Sequence, residues 1–476
     1  MPPIAAAPET IAAVATATGP GGVGIVRVSG PAALSIADRI ARAGKTPPSH
    51  RPARTLFRAV IVAPDTGEAV DDALVAVFRA PSSLTGEDVV EVQGHGGAVT
   101  LGRVLAACLS AGARAARPGE FTERAFVNGK MDLAQAEAVA QMVAAQTVAA
   151  QRAARRQLSG ALSRAVGACG DAVREALARI EASIDFPEEV GDIDPAAVDS
   201  ALARADAGVA ALLATFGYGR RLTEGLTVVL AGRPNVGKSS LLNALARRDR
   251  AIVTPIAGTT RDVLEEPLNL RGLPVRALDT AGIRATDDPV ESLGVARARQ
   301  AVADADVVVA VLDASEGLTD DDRGFLGSLA ERPSGGGDVV VVVNKADVAD
   351  AGPTLADARA ALPQAAPGVA TAAARAEGID ALEEAVVAAA TGGSSLPDSG
   401  SGSEDAPLVT SARHAAALHT ARESLAAARA TLARGLPAEL IAVDAHAALG
   451  ALGEITGETT REEIIRGIFA TFCIGK

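Results

Sequence analysis

A short glycine-rich stretch carries the strongest chemical signal in the chain. The apolar run 226–230 predicts a strand, residues 232–239 (Gly-Arg-Pro-Asn-Val-Gly-Lys-Ser) follow it, and an apolar helical pattern comes next. Glycines let backbone N–H groups approach phosphates, and a helix N-terminus favours negative charge. In such a loop Lys238 reaches the β- and γ-phosphates, and the Ser239 hydroxyl binds Mg²⁺. The stretch therefore predicts a nucleotide phosphate site.

Two further motifs follow apolar runs that predict strands. Residues 279–282 (Asp-Thr-Ala-Gly) come after the run 275–278, and residues 344–347 (Asn-Lys-Ala-Asp) come after the run 339–343. Asp279 would support the Mg²⁺ shell, and the Gly282 amide would sense the γ-phosphate. The Asp347 carboxylate accepts two hydrogen bonds, which the ring N–H and exocyclic amine of guanine donate. Adenine presents an acceptor at that ring nitrogen, so the three motifs together predict GTP rather than ATP.

The residue after Gly282 limits how the attacking water is held. It is Ile283, at the place where Ras-like proteins carry the glutamine that orients the water. A hydrophobic side chain cannot do this, so another residue must. Residues 251–262 (Ala-Ile-Val-Thr-Pro-Ile-Ala-Gly-Thr-Thr-Arg-Asp) read as the first switch, and Asn235 lies within the phosphate loop.

Composition limits the remaining classes of function. The net charge of −13 argues against a large general nucleic-acid surface, and 2% aromatic residues leave few platforms for stacked bases. Any RNA contact is therefore expected to be local or shared with a partner. The three cysteines are far apart, which argues against a disulfide framework or a structural zinc site. Residues 1–20 lack the pattern of a signal peptide and the apolar runs are too short for a membrane span, so we expect a cytoplasmic protein.

The order of patterns along the 476 residues predicts several domains. We expect a small α+β N-terminal domain at 1–127, a helical domain at 128–222, and a doubly wound α/β P-loop GTPase domain at 223–390. A Gly/Ser/Asp/Pro linker at 391–407 leads to a second helical segment at 408–476. The two helical segments resemble each other in composition, which favours one all-α domain into which the GTPase domain is inserted.

Beyond these motifs, nearly the whole chain resembles the MnmE family of tRNA-modification GTPases, also called TrmE. The resemblance includes the phosphate loop, the first switch and residues 279–284, and it extends well outside them. The matching stretches outside the GTPase are residues 21–30 (GGVGIVRVSG), 84–97 (LTGEDVVEVQGHGG), 117–126 (RPGEFTERAF), 130–137 (KMDLAQAE), 455–458 (ITGE) and 472–476 (FCIGK).

This resemblance implies a folate site and a dimer in the N-terminal domain. The family binds a reduced folate there as one-carbon donor (methylene- or formyl-tetrahydrofolate) and forms a constitutive homodimer through the same domain. Arg27, Glu91, Lys130 and the terminal Lys476 fall on the folate-contacting positions. From the sequence alone, plain surface or turn chemistry would be the preferred explanation for Glu91 and Lys130.

The resemblance also implies the ions and contacts of the nucleotide site. Ser239 and Thr260 would bind Mg²⁺, whereas Asn235 and switch atoms of Thr254, Ile256 and Thr259 would hold K⁺. Glu291 falls on the water-orienting glutamate. From the sequence alone a solvated carboxylate at a helix start would be preferred, but the missing glutamine at position 283 favours the water-orienting role. The implied GTP contacts are Asn235, Val236, Gly237, Lys238, Ser239, Ser240, Thr254, Thr259, Thr260, Asp279, Thr280, Ala281, Gly282, Asn344, Lys345, Asp347, Ala372 and Ala373.

The alanine pair at the end of that set departs from the family. Ala372-Ala373 stands where the family usually has Ser-Ala behind the guanine. A backbone N–H can still meet the guanine carbonyl, so we expect GTP specificity to survive with weaker support.

Cys473 has two interpretations. Ile465, Phe469 and Cys473 recur every four residues, which extends an apolar helical stripe and favours a buried core cysteine. The family resemblance instead places this cysteine beside the folate, where it is needed for modification, so it joins Lys238 and Glu291 as a candidate catalytic residue. The five histidines show no metal-binding spacing, and His95, between glycines, is expected in a loop.

The resemblance implies a GTP-driven enzyme of tRNA modification. With the FAD-containing MnmG, in a heterotetramer, it would install a carboxymethylaminomethyl group on the wobble uridine, and its GTPase domains would meet across the dimer. The alternative is a regulatory GTPase of ribosome assembly, of the Era type. That class carries a basic RNA-binding module with a GxxG clamp, and the acidic, alanine-rich flanks here favour the first interpretation.

Overall fold

The chain forms two compact units, each described below by itself. The computed structural model describes residues 9–17, 19–191, 193–248, 265–279, 300–330, 338–362, 366–391 and 406–475. One unit comprises Met1–Ala140, Gln157–Val209 and Ala417–Lys476, and the other comprises Gln141–Arg156 and Ala210–Ala416.

The first unit contains a sheet that is antiparallel except for its last pair. Its described strands are β1 (Ile11–Val14), β2 (Gly21–Ser29), β3 (Ala41–Arg42), β4 (Leu56–Val62), β5 (Ala69–Phe78), β6 (Val89–Gly96) and β7 (Arg114–Ala115). They lie in the order β3-β4-β5-β6-β2-β1-β7, with β1 and β7 parallel. Helices α1 (Ala33–Ile40) and α2 (Ala98–Ser110) contribute to the core that covers one face. Exposed and buried residues alternate along β4, as a strand with one covered face requires.

Helices make up most of the rest of the chain outside the two sheets. Up to the second sheet they are α3 (Glu120–Val127), α4 (Leu133–Ala144), α5 (Val148–Leu158), α6 (Ala161–Asp185), α7 (Pro187–Val190), α8 (Pro195–Ala214) and α9 (Phe216–Glu224). Within the first unit, α6 packs along a helix from the C-terminal segment, Ala438–Thr456. This pairing joins the two helical segments that flank the GTPase motifs in the sequence, as their similar composition indicated.

The second unit contains a sheet of alternating strands and helices. Its described strands are β8 (Leu226–Ala231), β9 (Glu265–Leu270), β10 (Leu273–Asp279), β11 (Val307–Asp313), β12 (Asp338–Asn344) and β13 (Gly368–Ala370). The helices between and after them are α10 (Lys238–Arg248), α11 (Asp320–Ala330), α12 (Gly352–Ala360) and α13 (Ile379–Ala390). The strand order is β13-β12-β11-β8-β10-β9, parallel except for the edge pair β10–β9.

Both faces of this second sheet are covered. Along β11 every residue is buried, and alternate residues belong to different cores. Val307 and Val309 pack with residues of α10 and α13, whereas Val308 and Ala310 pack with residues of α11 and α12. This is the doubly wound arrangement that the uninterrupted apolar runs predicted.

The C-terminal segment continues with α14 (Ala412–Ala433), α15 (Ala438–Thr456) and α16 (Glu462–Ala470). The fold class is therefore confirmed as an α+β N-terminal domain, a helical domain and a P-loop α/β domain. Most of the predicted linker 391–407 lies outside the described residues. No helix in the described ranges is long and apolar enough to cross a membrane.

Candidate functional site

The phosphate loop lies between the end of β8 and the start of α10. Gly232 and Gly237 have φ values of 151° and 100°, and Asn235, between them, has a φ of 66°. A Cβ atom at Gly232 would lie 2.3 Å from the Val311 carbonyl oxygen, and one at Gly237 would lie 2.1 Å from the Asn344 side-chain nitrogen. Glycine is therefore required at both positions, by backbone conformation and by packing.

Lys238 is held against the loop backbone. Its side chain is buried, and its Nζ donates to the carbonyl oxygens of Gly232 at 2.9 Å and Arg233 at 2.7 Å. Ser239 and Ser240, in the first turn of α10, are exposed, and so is Asn235. The loop therefore combines a fixed cation with exposed oxygen groups, which is the donor set that a Mg²⁺-bound phosphate needs.

Asn344, at the end of β12, connects the phosphate loop to the loop after β13. Its Nδ2 donates to the Val236 carbonyl oxygen at 3.0 Å. Its Oδ1 accepts from the Thr371 hydroxyl at 3.2 Å and from the Ala373 backbone N–H at 3.1 Å. The carboxyl ends of parallel strands thus bring the first and third nucleotide motifs together, at the edge where α/β sheets bind ligands.

Lys345 and Asp347 of the same motif form ion pairs within the protein. The Lys345 Nζ lies 2.5 Å from Asp313 Oδ2. Burial disfavours the charged Asp313 carboxylate, but hydrogen bonds from Lys345 and Ser315 outweigh this and lower its pKa. Asp347 Oδ2 lies 3.4 Å from Arg375 Nε, and Asp347 is the more buried partner. The guanine-selecting carboxylate thus has an exposed cation beside it.

The alanine pair does not leave its backbone donors open. Ala372 N donates to the Glu377 carbonyl oxygen at 3.0 Å, and Ala373 N donates to Asn344 Oδ1. A guanine carbonyl at this place would therefore share the Ala373 donor with Asn344.

Several predicted nucleotide-site residues lie outside the described residues, so their roles stay predictions. They are Thr254, Ile256, Thr259, Thr260, Thr280, Ala281, Gly282 and Glu291. The backbone of Asp279 is described at the end of β10, beside β8.

In the first unit, Arg27 and Glu91 are direct cross-strand partners on β2 and β6. Arg27 Nε lies 3.0 Å from Glu91 Oε1. The Arg27 Nη1 also donates to the Gly475 carbonyl oxygen at 3.4 Å, and its guanidinium lies 5.7 Å from the centre of the Phe121 ring. Two predicted folate residues and the C-terminal tail therefore meet at one place.

Lys130 and Lys476 are not part of this described cluster. The exposed Lys130 donates from Nζ to the Pro81 carbonyl oxygen at 2.9 Å, and no hydrogen bond or ion pair of the described residues joins it to Arg27 or Glu91. Lys476 lies outside the described residues.

Cys473 is exposed, so its interpretation as a buried core cysteine is wrong. Helix α16 ends at Ala470, and its buried stripe consists of Ile465 and Phe469. Beyond it the Cys473 carbonyl oxygen accepts from the Gly119 N–H at 3.4 Å, which fixes the backbone and leaves the side chain outside.

Known proteins and family models match nearly all of the chain. The family model described as the MnmE helical domain matches residues 133–473, and that described as the GTP-binding protein TrmE N-terminus matches residues 10–130. This chain belongs to the MnmE family. A relative from Moorella thermoacetica, named tRNA modification GTPase MnmE, is 47% identical over 98% of this chain and 99% of its own length. A relative of the same name from Chloroflexus aurantiacus is 49% identical over 98% of this chain and 100% of its own length.

Part of the chain is also similar to a solved GTPase structure. Aquifex aeolicus Era Y63A, bound to GDP and AlF4⁻, is 27% identical over 42% of this chain and 66% of that chain, with a TM-score of 0.28.

Sequence reasoning missed a buried ion network in this MnmE-family chain. Glu120, almost fully buried, accepts from Arg114 Nη2 at 2.7 Å, from the Arg117 N–H at 2.8 Å and from Arg124 Nη2 at 3.2 Å. Burial opposes its ionisation, but the hydrogen bonds from Arg114 and Arg117 outweigh this and lower the pKa of Glu120 to about 2. The sequence did contain a signal for this network, because the basic Arg117 precedes Pro118-Gly119 and the acidic Glu120 follows it.

His95 was expected in a loop, but it lies in strand β6. Its Nδ1 lies 2.6 Å from Asp71 Oδ1, and Asp71 Oδ2 also accepts its backbone N–H at 2.8 Å. The hydrogen bond to Asp71 raises the pKa of His95. At the neighbouring Gly94 a Cβ would lie 2.3 Å from Asp71 Oδ2, so a larger residue there would displace the carboxylate that His95 contacts.

Proposed function

We propose that this chain hydrolyses GTP to drive formation of the carboxymethylaminomethyl group on the wobble uridine of certain tRNAs. It would act with an FAD-containing MnmG partner in a heterotetramer and use the one-carbon unit of a reduced folate. At the coarser level, the chain is a tRNA modification GTPase, since relatives of that name match it along their full length. The observation that supports the GTPase part most is the Asn344 connection between the phosphate loop and the guanine-side loop.

The described part of the nucleotide site supports two of the proposed GTP contacts. On GTP binding, the Lys238 ammonium would donate to the phosphates in place of the loop carbonyls. The Asp347 carboxylate would accept from guanine in place of Arg375. Ser239 and Thr260 would bind Mg²⁺. Ser239 is an exposed residue next to the buried Lys238, and a hydroxyl oxygen is the kind of ligand that Mg²⁺ prefers.

A potassium ion would be held by Asn235 together with Thr254, Ile256 and Thr259. The Asn235 backbone is in the left-handed region, and its side chain is exposed in the phosphate loop. An amide oxygen at this place suits a hard cation, which would supply positive charge near the β- and γ-phosphates. Glu291 would orient the water, because Ile283 cannot.

The reduced folate would bind at the Arg27–Glu91 pair. Glu91 offers a carboxylate acceptor for the N–H groups of a tetrahydropterin, and Arg27 carries charge complementary to the folate glutamate. The exposed Cys473 lies on the tail whose Gly475 carbonyl contacts Arg27, which supports placing its thiol beside the folate. Lys130 and Lys476 complete the proposed set.

Dimerisation through the N-terminal domain is supported by one face of the first sheet. Leu56 and Val60 of β4 and Leu74 of β5 are exposed on the same face, because Leu74 is paired with Arg58 between them. The opposite face of these strands is covered by the core. Apolar side chains clustered on a sheet face are typical of an interface.

The acidic composition supports a shared tRNA site. With a net charge of −13, this chain supplies little of the positive charge that tRNA binding needs, so we propose that MnmG supplies most of it.

We further propose a cytoplasmic location and domain boundaries at 127/128, 222/223, 390/391 and 407/408.

A reconstituted reaction tests the proposal. The chain, an FAD-loaded MnmG, substrate tRNA, GTP, glycine and methylene-tetrahydrofolate labelled with ¹³C in its one-carbon unit are incubated, and wobble nucleosides are measured by mass spectrometry. We expect a carboxymethylaminomethyl nucleoside that carries one ¹³C, and none without this chain. A product without the label would refute the folate role, and no product from the complete mixture would refute the modification role.

A further inference from the structure

The buried carboxylate of Glu120 lies where the N-terminal sheet, helix α3 and the C-terminal tail come together. Its two oxygens accept from both terminal nitrogens of Arg114, from the Arg117 N–H and from Arg124. Arg124 also pairs with Glu87 at 3.0 Å, and Ser29 donates to Glu87 at 2.7 Å. The carboxylate therefore pairs with the buried Arg124 and the partly exposed Arg114, and it closes the turn 117–120 at the same time.

That turn presents Gly119 to the end of helix α16. Gly119 has a φ of 67°, and a Cβ there would lie 2.5 Å from the Phe469 carbonyl oxygen and 3.1 Å from the Phe472 Cβ. The Gly119 N–H is thereby directed at the Cys473 carbonyl oxygen, 3.4 Å away. The position of the turn thus determines where the chain leaves α16.

A second contact holds the tail two residues later. Gly475 has a φ of 92°, and a Cβ there would lie 2.1 Å from the Val14 carbonyl oxygen, so the tail packs closely against the end of β1. Its carbonyl oxygen accepts from Arg27. The backbone is therefore held on both sides of the exposed Ile474, and Cys473 stays exposed on a tail whose Gly475 contacts Arg27.

We propose that Glu120 is a positioning residue for the C-terminal tail: by fixing the 117–120 turn, it holds the Cys473 backbone at Gly119 and thereby keeps Gly475 in contact with Arg27. This inference rests on the proposed folate site. It adds that Glu120, which is not one of the proposed folate contacts, sets the position of the tail at that site. Loss of the Glu120 charge leaves Arg114 and Arg124 without their shared carboxylate and weakens the side-chain closure of the turn, although the backbone hydrogen bond from the Glu120 N–H to the Arg117 carbonyl oxygen remains. The tail therefore detaches more often, while the nucleotide site, in the other unit, keeps its own contacts.

The test uses the full-length protein with Glu120→Gln, which retains the side-chain shape. Its matched control is Glu9→Gln, which removes the exposed partner of the same Arg114 (2.7 Å) and leaves Glu120 in place. Hydrogen exchange of the peptide 470–476 is compared with exchange of strands β4 and β5. Binding of 5-formyl-tetrahydrofolate is measured by calorimetry, and GTP turnover is measured in parallel.

We expect the tail peptide to exchange at least about ten-fold faster in Glu120→Gln, with β4 and β5 unchanged and folate affinity at least about ten-fold weaker. GTP turnover should stay within two-fold of wild type, and Glu9→Gln should behave as wild type. Unchanged tail exchange would overturn the proposal, and so would equal acceleration in β4 and β5, because the role would then be general stability. If folate binds neither wild type nor variant while the tail alone exchanges faster, the positioning role stands and the proposed folate site fails.

A second variant covers the case in which Glu120→Gln does not fold. Arg114→Met with Glu120→Gln removes one guanidinium together with the carboxylate that it pairs with, and the buried Arg124 keeps Glu87 as its partner. Its tail peptide should also exchange faster than wild type, with β4 and β5 unchanged. Wild-type exchange of the tail in this folded double variant would overturn the proposal.

Discussion

The side-chain amide of Asn344 donates to the carbonyl oxygen of Val236 across 3.0 Å, between residues 108 positions apart in the chain. Val236 belongs to the phosphate loop, and Asn344 ends the strand that leads to the guanine-selecting carboxylate. The same amide accepts two hydrogen bonds from the loop after β13. The phosphate loop and the loop after β13 are therefore connected through a single side chain.

Replacing Asn344 should weaken nucleotide binding as a whole. Asn344→Ala leaves the Val236 carbonyl oxygen, the Thr371 hydroxyl and the Ala373 N–H without this partner. Each lost hydrogen bond costs about 1–3 kcal/mol of free energy. We expect GTP and GDP affinity to fall by on the order of 10–100-fold. Titration with a fluorescent nucleotide measures this. Asn344→Asp, which retains the acceptor for Thr371 and Ala373 but loses the donor to Val236, isolates the contact with the phosphate loop. Wild-type affinity in both variants would show that the connection is dispensable.

Base choice should follow Asp347. Each hydrogen bond to this carboxylate contributes about 1.5–3 kcal/mol, so Asp347→Asn should weaken GTP binding strongly. The same change should favour xanthosine triphosphate, whose ring carbonyl accepts from the new amide. Competitive titration of the two nucleotides on wild type and variant gives the answer. Arg375→Ala serves as a control, because it removes the cation 3.4 Å away and leaves the carboxylate. Unchanged GTP affinity in Asp347→Asn would contradict the assignment.

Sequence motifs predicted the strand–loop–helix context of the phosphate loop correctly because that context is local. Leu226–Ala231, the two glycines and Lys238 lie within about a dozen consecutive positions, and nothing distant is needed to place them. The Asn344–Val236 contact was not predicted, since it depends on strand order. Which strand lies beside which is set by packing across the whole sheet.

The end of helix α16 and the C-terminal tail after it were not predicted from the sequence. A four-residue period predicted that the helical stripe would continue to Cys473, because no Gly or Pro interrupts residues 468–474. The helix instead ends at Ala470, and the following residues pack against Gly119 and Val14. Contacts with segments more than 300 positions away set this ending, and local periodicity carries no information about them. The Glu120 network was missed for another reason: its partners Arg114, Arg117 and Arg124 lie within six positions of it, but the local charge pattern does not show that the carboxylate is buried.

Glu120 should make stability depend on pH in the acid range. Its pKa of about 2 lies below its ordinary value of 4.5, so the folded state holds the proton less tightly than the unfolded state. The resulting stabilisation is complete above about pH 4.5 and disappears as the pH falls to about 2. It amounts to at most about 3 kcal/mol. Thermal melts between pH 7 and pH 2.5 should show a smaller decrease in Tm for Glu120→Gln than for wild type, starting from a lower value at pH 7. Parallel curves for the two proteins would refute this.

Hydrolysis should depend on K⁺ and on Glu291 for different reasons. A cation near Asn235 would neutralise the charge that develops between the β- and γ-phosphates. In other GTPases an arginine finger does this and raises the rate of hydrolysis by about 10³–10⁵-fold. Asn235→Ala should therefore lose K⁺ stimulation, whereas Glu291→Ala should retain nucleotide binding and K⁺-promoted domain pairing but hydrolyse GTP very slowly. GTP turnover in matched KCl and NaCl measures both effects. Equal wild-type rates in the two salts would remove the cation from the mechanism, and a fully active Glu291→Ala would require another water-orienting group.

The most direct test of the account is the wobble-nucleoside content of tRNA from cells that lack this protein, measured by mass spectrometry. Cells are complemented with wild type or with Cys473→Ser, and the purified variant is checked by thermal melt and GTP turnover. We predict that the carboxymethylaminomethyl nucleosides disappear without the protein and return with wild type. Cys473→Ser should fail to restore them although its Tm and GTP turnover match wild type, because the thiol is exposed and lies in the other unit from the nucleotide site. Unchanged wobble nucleosides in the cells that lack the protein would contradict the account.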